Sequence, residues 1–474
     1  MIKKFSMLAL AGLIALPIAA SAGVGPQAND LDRKIQDLSS QLDQLKAQMA
    51  AQAEANAATN AKIGDMKDFS DRAEDWDLAA RFKLDGDFRS RLDFYNATTV
   101  AGNDLDNDTA FTNRFRLNMR VGVTENVEFK GRVAMYKAWG DDAMGDLTGG
   151  MNPPFDGNST RTPGDDALRV DRAFLNFNNI GGAPVWFSIG RRPTTDGNPS
   201  NIRMNLSERS GTPLIMDYAF DGISTGYAYN MGEDLGTGRV RICYGRGFED
   251  GLYNNDEFGN NRIGYDDTDF AGVSWDILKK GDRFLYAQSF IASSIPGFTR
   301  SGTIYDNIGN LNHTSAMYMD KFAGLNYFVA GGWSHSDPTD HNFIMGSNDK
   351  EDGYHAHVGV RYDIENTGLK VGAEYNYGSE YWIGLTPGHD DLYQSKIAAR
   401  GNVYEVYGIY DLPMGEAISK YAKTFMRLGY QRYDYKYAGS NDWMQPPTDL
   451  DSPFANPNAV ETADQVYLTL EATF

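Results

Sequence analysis

Basic side chains recur at every second residue along three stretches near the start of the chain. They are Arg81, Lys83, Arg89 and Arg91, then Arg114, Arg116 and Arg120, then Lys130 and Arg132. A spacing of two puts side chains on one face of an extended strand. Three such strands side by side make a basic ladder, because facing side chains on paired strands lie within reach of one another. The chemistry such a ladder offers is the binding and steering of anions. Asp85, Asp87, Asp93 and Glu128 share the same parity, so ion pairs along the wall neutralise part of the set. The alternative is a mixed-charge lining without selectivity.

A second group of charges falls in a long connection, Arg192 to Asp217. It holds Asp196, Arg203, Glu208 and Arg209, and Pro193, Pro199 and Pro213 stiffen it. Folded inward, this segment would constrict whatever space the strands enclose; lying across the mouth, it would only cover it. His355 and His357 share a face at i, i+2, but spacing fixes no cysteine or carboxylate beside them, so no metal site is expected. The chain has only six histidines, and His313 beside Thr314 and Ser315 has no third partner in sequence. No catalytic constellation is expected, hence no enzyme and no cofactor. The single cysteine, Cys243, excludes an intrachain disulfide, and no C-x-x-C-H haem attachment site is present. A net charge of −20 argues against nucleic acid as a partner.

The elements that position these charges follow from a strict alternation. Between the odd-numbered charges Arg81 to Asp93 stand Phe82, Leu84, Phe88 and Leu92, one wet face against one apolar face. The rhythm repeats with Phe111, Phe115, Leu117, Met119 and Val121 against Arg114, Arg116 and Arg120. It recurs with Tyr354, Val358 and Val360 against His355, His357 and Arg361, and closes on Val466, Leu468, Leu470 and Phe474. Strands of this length with a dyad pattern suit a transmembrane β-barrel; a soluble sandwich would have to gather all the apolar faces into one core. Short connections at 124–126, 180–183, 230–238, 279–282, 365–367 and 413–420 alternate with long polar ones. The long ones fall near 95–109, 140–167, 192–217, 248–267, 294–312, 335–351, 380–400 and 438–461. With both termini on one side the count is 16 strands, provided that a weak strand around Thr314–Asp320 turns back near Lys321–Ala323. The fold class expected is therefore all-β, a transmembrane antiparallel barrel of about 16 strands behind a helical segment.

The first 75 residues belong to other structure. Lys3 and Lys4, an apolar run from Met7 to Ala19 and the small-x-small ending Ala20-Ser21-Ala22 predict a secretory leader cleaved before Gly23. Leu31, Ile35, Leu38, Leu42, Leu45 and Met49 then recur in steps of four and three, the seam of a left-handed coiled coil. The repeat weakens toward Met66, and the whole helix would reach roughly 50 Å. The division expected is 1–22 leader, 23–75 coiled-coil helix and linker, 76–474 barrel.

The ending Tyr467-Leu468-x-Leu470-x-x-x-Phe474 resembles the C-terminal signature of bacterial outer-membrane barrels, and a coiled coil ahead of a barrel resembles certain sugar- and anion-selective porins. The stretch Val170 to Met204 (Val-Asp-Arg-Ala-Phe-Leu-Asn-Phe, then Trp-Phe-Ser-Ile-Gly-Arg-Arg-Pro-Thr-Thr-Asp-Gly) is similar to an uncharacterised porin-like family of metal- and sulfate-reducing bacteria. The resemblance implies an outer-membrane porin for passive diffusion of small hydrophilic solutes or ions, leaning toward anions, with its coiled coil in the periplasm. The alternative is a structural barrel that anchors a periplasmic or extracellular partner such as an electron-transfer protein. Partners implied are outer-membrane lipid and lipopolysaccharide, small hydrophilic solutes and copies of the chain itself, threefold if the barrels trimerise. The acidic runs Asp104–Asp108 and Asp390-Asp391 offer sites for divalent cations bridging lipopolysaccharide, or are simply solvated. Trp76, Trp139, Trp186, Trp333 and Trp382 are candidates for interfacial aromatic girdles, the alternative for any one of them being a place in the pore lining.

Overall fold

The computed structural model describes residues 36–57, 81–140, 163–192, 197–206, 220–249, 266–298, 304–386, 391, 394–415 and 422–474. Contacts divide the chain into two units at Asp77/Leu78. In the first, helix α1 spans residues 36–57 and is exposed along its whole length. Its apolar stripe, Leu38, Leu42, Leu45 and Met49, is 55–68% exposed. The leader and the linker lie outside the described residues.

In the second unit the strands run β1 Phe82–Thr99, β2 Asp104–Thr124, β3 Val127–Ala138, β4 Arg169–Phe177, β5 Val185–Arg192, β6 Phe220–Asn230, β7 Thr237–Phe248 and β8 Thr268–Lys280. They continue with β9 Arg283–Phe298, β10 Ile304–Phe322, β11 Leu325–Pro338, β12 Glu351–Asp363, β13 Leu369–Gly378, β14 Gly401–Asp411, β15 Lys423–Tyr435 and β16 Val460–Thr473. Each pairs antiparallel with its sequence neighbours, and β1 pairs with β16 to close a barrel of 16 strands. Closure leaves no sheet edge, so a bilayer core meets no unpaired ladder amide.

The alternation read from the sequence decides which face each residue takes. Phe88, Phe94, Val358, Val360, Leu428, Leu468 and Leu470 are exposed on the outer wall, whereas Arg89, Arg91, Asp93, Gln465, Tyr467 and Thr469 are buried on the inner one. An apolar exterior around a charged interior is the arrangement of a transmembrane barrel of the outer-membrane type.

The weak strand needed for parity is β10, which turns into β11 through Ala323 and Gly324 with Phe322 opposite Leu325. Both turn residues have positive φ, 47° and 83°, as a two-residue hairpin that follows strand twist requires. Two of the long connections are shorter than expected. β1 runs to Thr99 and β2 restarts at Asp104, leaving Val100–Asn103, and β9 runs on to Phe298. Polar residues such as Asn96, Asp106 and Asn107 look like loop, but β1 and β2 stay paired there beyond a register shift at Asp93/Tyr95. Hairpins that leave a membrane continue in water, where polar side chains cost a strand little.

Leu468 lies mid-strand on the outer wall, between Leu92 and Leu428. Leu468→Arg should cost about 2–4 kcal/mol of stability in lipid vesicles, read by urea unfolding. A neutral result would place this face outside the hydrocarbon.

Candidate pore lining and constriction

The ladder on β1–β3 faces the interior, where carboxylates meet most of it. Arg91 donates through Nε to both oxygens of Asp93 at 2.9 Å, with its guanidinium 4.5 Å from the ring centre of Tyr467. Asp87 accepts from Arg116 Nε at 3.0 Å and from Arg114 at 3.3 Å, and Arg114 also lies 3.7 Å from Glu471 across the β1–β16 closure. Asp85 pairs with Arg120 at 3.3 Å and accepts from Asn118 at 2.7 Å. Lys130 pairs with Glu128 at 2.9 Å, and Arg132 with Asp171 of β4. Arg89 donates to the Tyr136 hydroxyl at 3.0 Å. Arg81 and Lys83 stand exposed at the end that carries the short turns. The spacing thus brings the cations together, and a lattice of wall carboxylates divides them into pairs. Asp171 and Glu471 belong to that lattice, and sequence spacing alone did not connect them to it.

The described part of the β5–β6 connection, residues 197–206, lies inside the barrel. Within it, helix α2 (Ser200–Met204) sits inside the barrel, its αL C-cap residue Asn205 closing the turn. Arg203 is 1% exposed and pairs with Asp391 and, at 3.1 Å, with Glu405. Wall cations hold the helix backbone: Arg427 donates to Arg203 O at 3.2 Å, Arg361 to Ile202 O and Lys423 to Asn205 O. The Asn205 side chain accepts from Lys370 at 2.7 Å and donates to Asp411 at 2.8 Å. Below the helix, Ile202 packs among Phe284, Tyr286, Met317 and Phe328. Of the four candidate charges, Arg203 is buried within the barrel, whereas Asp196, Glu208 and Arg209 lie outside the described residues.

A second inward loop escaped the sequence reading, which placed 380–400 among the polar outer connections. Trp382, Ile383 and Leu385 are fully buried, and Trp382 donates through Nε1 to Ile397 O at 2.8 Å. Lys396 of this loop lies between Glu374 of β13 and Glu405 of β14, and Asp391 accepts from Gln431 at 2.8 Å as well as from Arg203. Arg400 is fully buried and donates to the carbonyls of Trp382, Ala438 and Asp442 at 2.9–3.3 Å. Burial, only partly offset by the charges of Asp442 and Glu380, lowers its pKa to about 10. His355 and His357 serve this loop. His355 stacks on Trp382 at 4.7 Å and bonds Asn376, and His357 bonds Glu374 at 3.0 Å. The signal was the apolar run Trp382-Ile383-Gly384-Leu385, uncommon in a loop bound for water.

The tryptophans divide accordingly. Trp139, stacked on Phe111, and Trp333, donating to Asp352, are exposed and fit a girdle. Trp382 and Trp186 face inward, the latter lying over Gly226, and so take the interior alternative rather than a place in a girdle. Trp76 lies outside the described residues.

A profile of the family described as Protein of unknown function (DUF3373) matches residues 104–474. The chain belongs to this DUF3373 family. No curated protein matches it. Among solved structures it is similar to OmpT, an outer membrane protein of Vibrio cholerae, in its trimer form, with 15% identity over 83% of this chain and 99% of that one and a TM-score of 0.42. The outer-membrane expressed form of OmpT gives 14% identity, 83% and 97% coverage and a TM-score of 0.41. Within the DUF3373 match lie both inward loops and all of the wall residues that hold them.

Removing Arg203 leaves Asp391 and Glu405 charged beside each other in a space closed to water. Arg203→Leu should cost about 3–5 kcal/mol, while pairing it with Asp391→Leu and Glu405→Leu should recover a large part of that loss. Urea unfolding of the three proteins in vesicles measures both, and additivity of the losses would remove the coupling.

Proposed function

We propose that this protein is an outer-membrane porin passing small hydrophilic solutes or ions through a bore narrowed by α2. The observation that carries the reading is a charged inner wall in a closed barrel, with a loop held across the interior by wall cations. Polar linings suit aqueous passage, and inward loops suit selection. Within Lys83–Asp93, Arg114–Arg120 and Glu128–Arg132, eight cations face four carboxylates, and Asp171 and Glu471 from other strands raise the carboxylates to six, a remaining excess of cations that supports a lean toward anions. The same burial of Arg203, Trp382 and Lys396 favours a second reading, a plugged barrel that anchors a periplasmic or extracellular partner. Planar-bilayer recording separates them: steady open-channel current supports the pore, and silence supports the anchor. Replacing Arg114, Arg116 and Arg120 by Gln should shift the reversal potential in asymmetric salt toward cations, since Asp85 and Asp87 then stand without them. An unmoved potential would retire the anion lean.

The exposed stripe of α1 supports a coiled coil with copies of the chain, placed in the periplasm once the leader 1–22 is removed. A trimer of barrels would bring three such helices together. Leu38→Asp with Leu45→Asp should lower the oligomeric order found by analytical ultracentrifugation in detergent if α1 holds the assembly. Unchanged order would assign assembly to the barrels instead.

A further inference from the structure

Strands β5 to β9 carry a polar site distinct from the ion pairs that seat α2. Gly190 stands opposite Gly222, and Gly222 opposite Gly245, all on the inner face. A row without side chains leaves a hollow in the wall. Gly190 holds φ at +125°, and a Cβ there would strike the Ala173 carbonyl, so the position excludes larger residues. Arg192 enters from the top of this hollow and lies along the wall, its guanidinium 5.2 Å from the ring centre of Phe174 and 5.8 Å from that of Trp186.

A cavity of about 180 Å³ opens beside it, with Arg192, Arg241, Ser274 and Gln288 among its lining. Its donors are unusually underused. Arg192 Nη1 is buried and donates to nothing, and no carboxylate lies within ion-pair distance of Arg192 among the described residues. Arg241, by contrast, already hydrogen-bonds the Tyr286 hydroxyl and lies 3.7 Å from Asp276, so it adds positive charge to the site rather than a free donor. Tyr286 donates to Gln288 Oε1 at 2.6 Å, which fixes the amide and leaves a buried Nε2 without an acceptor. Buried donors of this kind are costly unless an acceptor meets them. The opposite side of the cavity is aromatic, with Phe220 and Phe270 4.4 Å apart and Phe290 next to them. An inorganic anion would lose its hydration against those rings without replacement.

We propose that this cavity binds a small organic carboxylate with an apolar body. The carboxylate lies between the guanidinium groups of Arg192 and Arg241, within reach of the Gln288 amide, and the body lies against Phe270 and Phe290. Bidentate Arg–carboxylate geometry supplies the affinity, and the aromatic side selects against small inorganic ions.

Benzoate is the probe, added to the full chain in detergent, so that binding is read whether or not the barrel conducts. Trp186 beside Arg192 supplies the fluorescence signal. Benzoate should bind saturably, and Arg192→Gln and Arg241→Gln should each weaken it about tenfold or more. Benzyl alcohol, which keeps the ring without the charge, and acetate, which keeps the charge without the ring, should both bind more weakly. A second readout needs no variant: Cys243, the sole cysteine in the sequence, lines the same cavity, and saturating benzoate should slow its alkylation by iodoacetamide. The proposal is overturned if benzoate neither saturates nor protects Cys243, if Arg192→Gln binds it equally well, or if benzyl alcohol or inorganic phosphate binds as tightly.

Discussion

Arg203 places its guanidinium between Asp391 and Glu405, and no side chain of the three is more than 2% exposed. In such a space each charge needs an opposite charge or a set of donors, because water no longer screens or solvates it. The partners come from three distant parts of the chain: the β5–β6 loop, the β13–β14 loop and strand β14. Meeting that one requirement fixes where both loops run. Lys396, held between Glu374 and Glu405, extends the same network along the wall, and His357 continues it from β12. A half-satisfied network would be worse than an apolar filling, so the loops are placed as a unit.

The cation ladder of β1–β3 obeys the same rule in a simpler form. Its carboxylates sit on the same or adjacent strands, two residues along or directly across, so wall and partner form together as the hairpins pair. Asp87 serves two arginines, and Glu471 joins the set only when β16 closes on β1. Closure of the barrel therefore supplies one of the interior charges as well as the last ladder of hydrogen bonds.

Much of the barrel is legible because its information is local. Period-two alternation is written into every strand, and the direction of the chain forces β10 even where its residues, His313 to Met319, alternate poorly. The inward pose of Arg203 was readable as a charged residue in a stiffened long loop, but its partners lie 188 and 202 positions away, and no spacing reveals them. The β13–β14 loop was misplaced because its composition is polar on average; only Trp382-Ile383-Gly384-Leu385 betrays that part of it packs. The extended ends of β1, β2 and β9 were missed for the opposite reason. Beyond the hydrocarbon a strand keeps its hydrogen bonds while its side chains turn polar.

Among the described residues, the two inward loops do not fill the barrel evenly. They are pinned to β9–β15, whereas the hollow made by Gly190, Gly222 and Gly245 lies across β5–β7. The number of strands fixes the circumference of the cylinder, but the loops decide how much of the cross-section stays clear and on which side. Any molecule traversing the interior would thus follow an off-centre track, and the size limit it met would be set by α2 and the Trp382 segment rather than by the width of the cylinder.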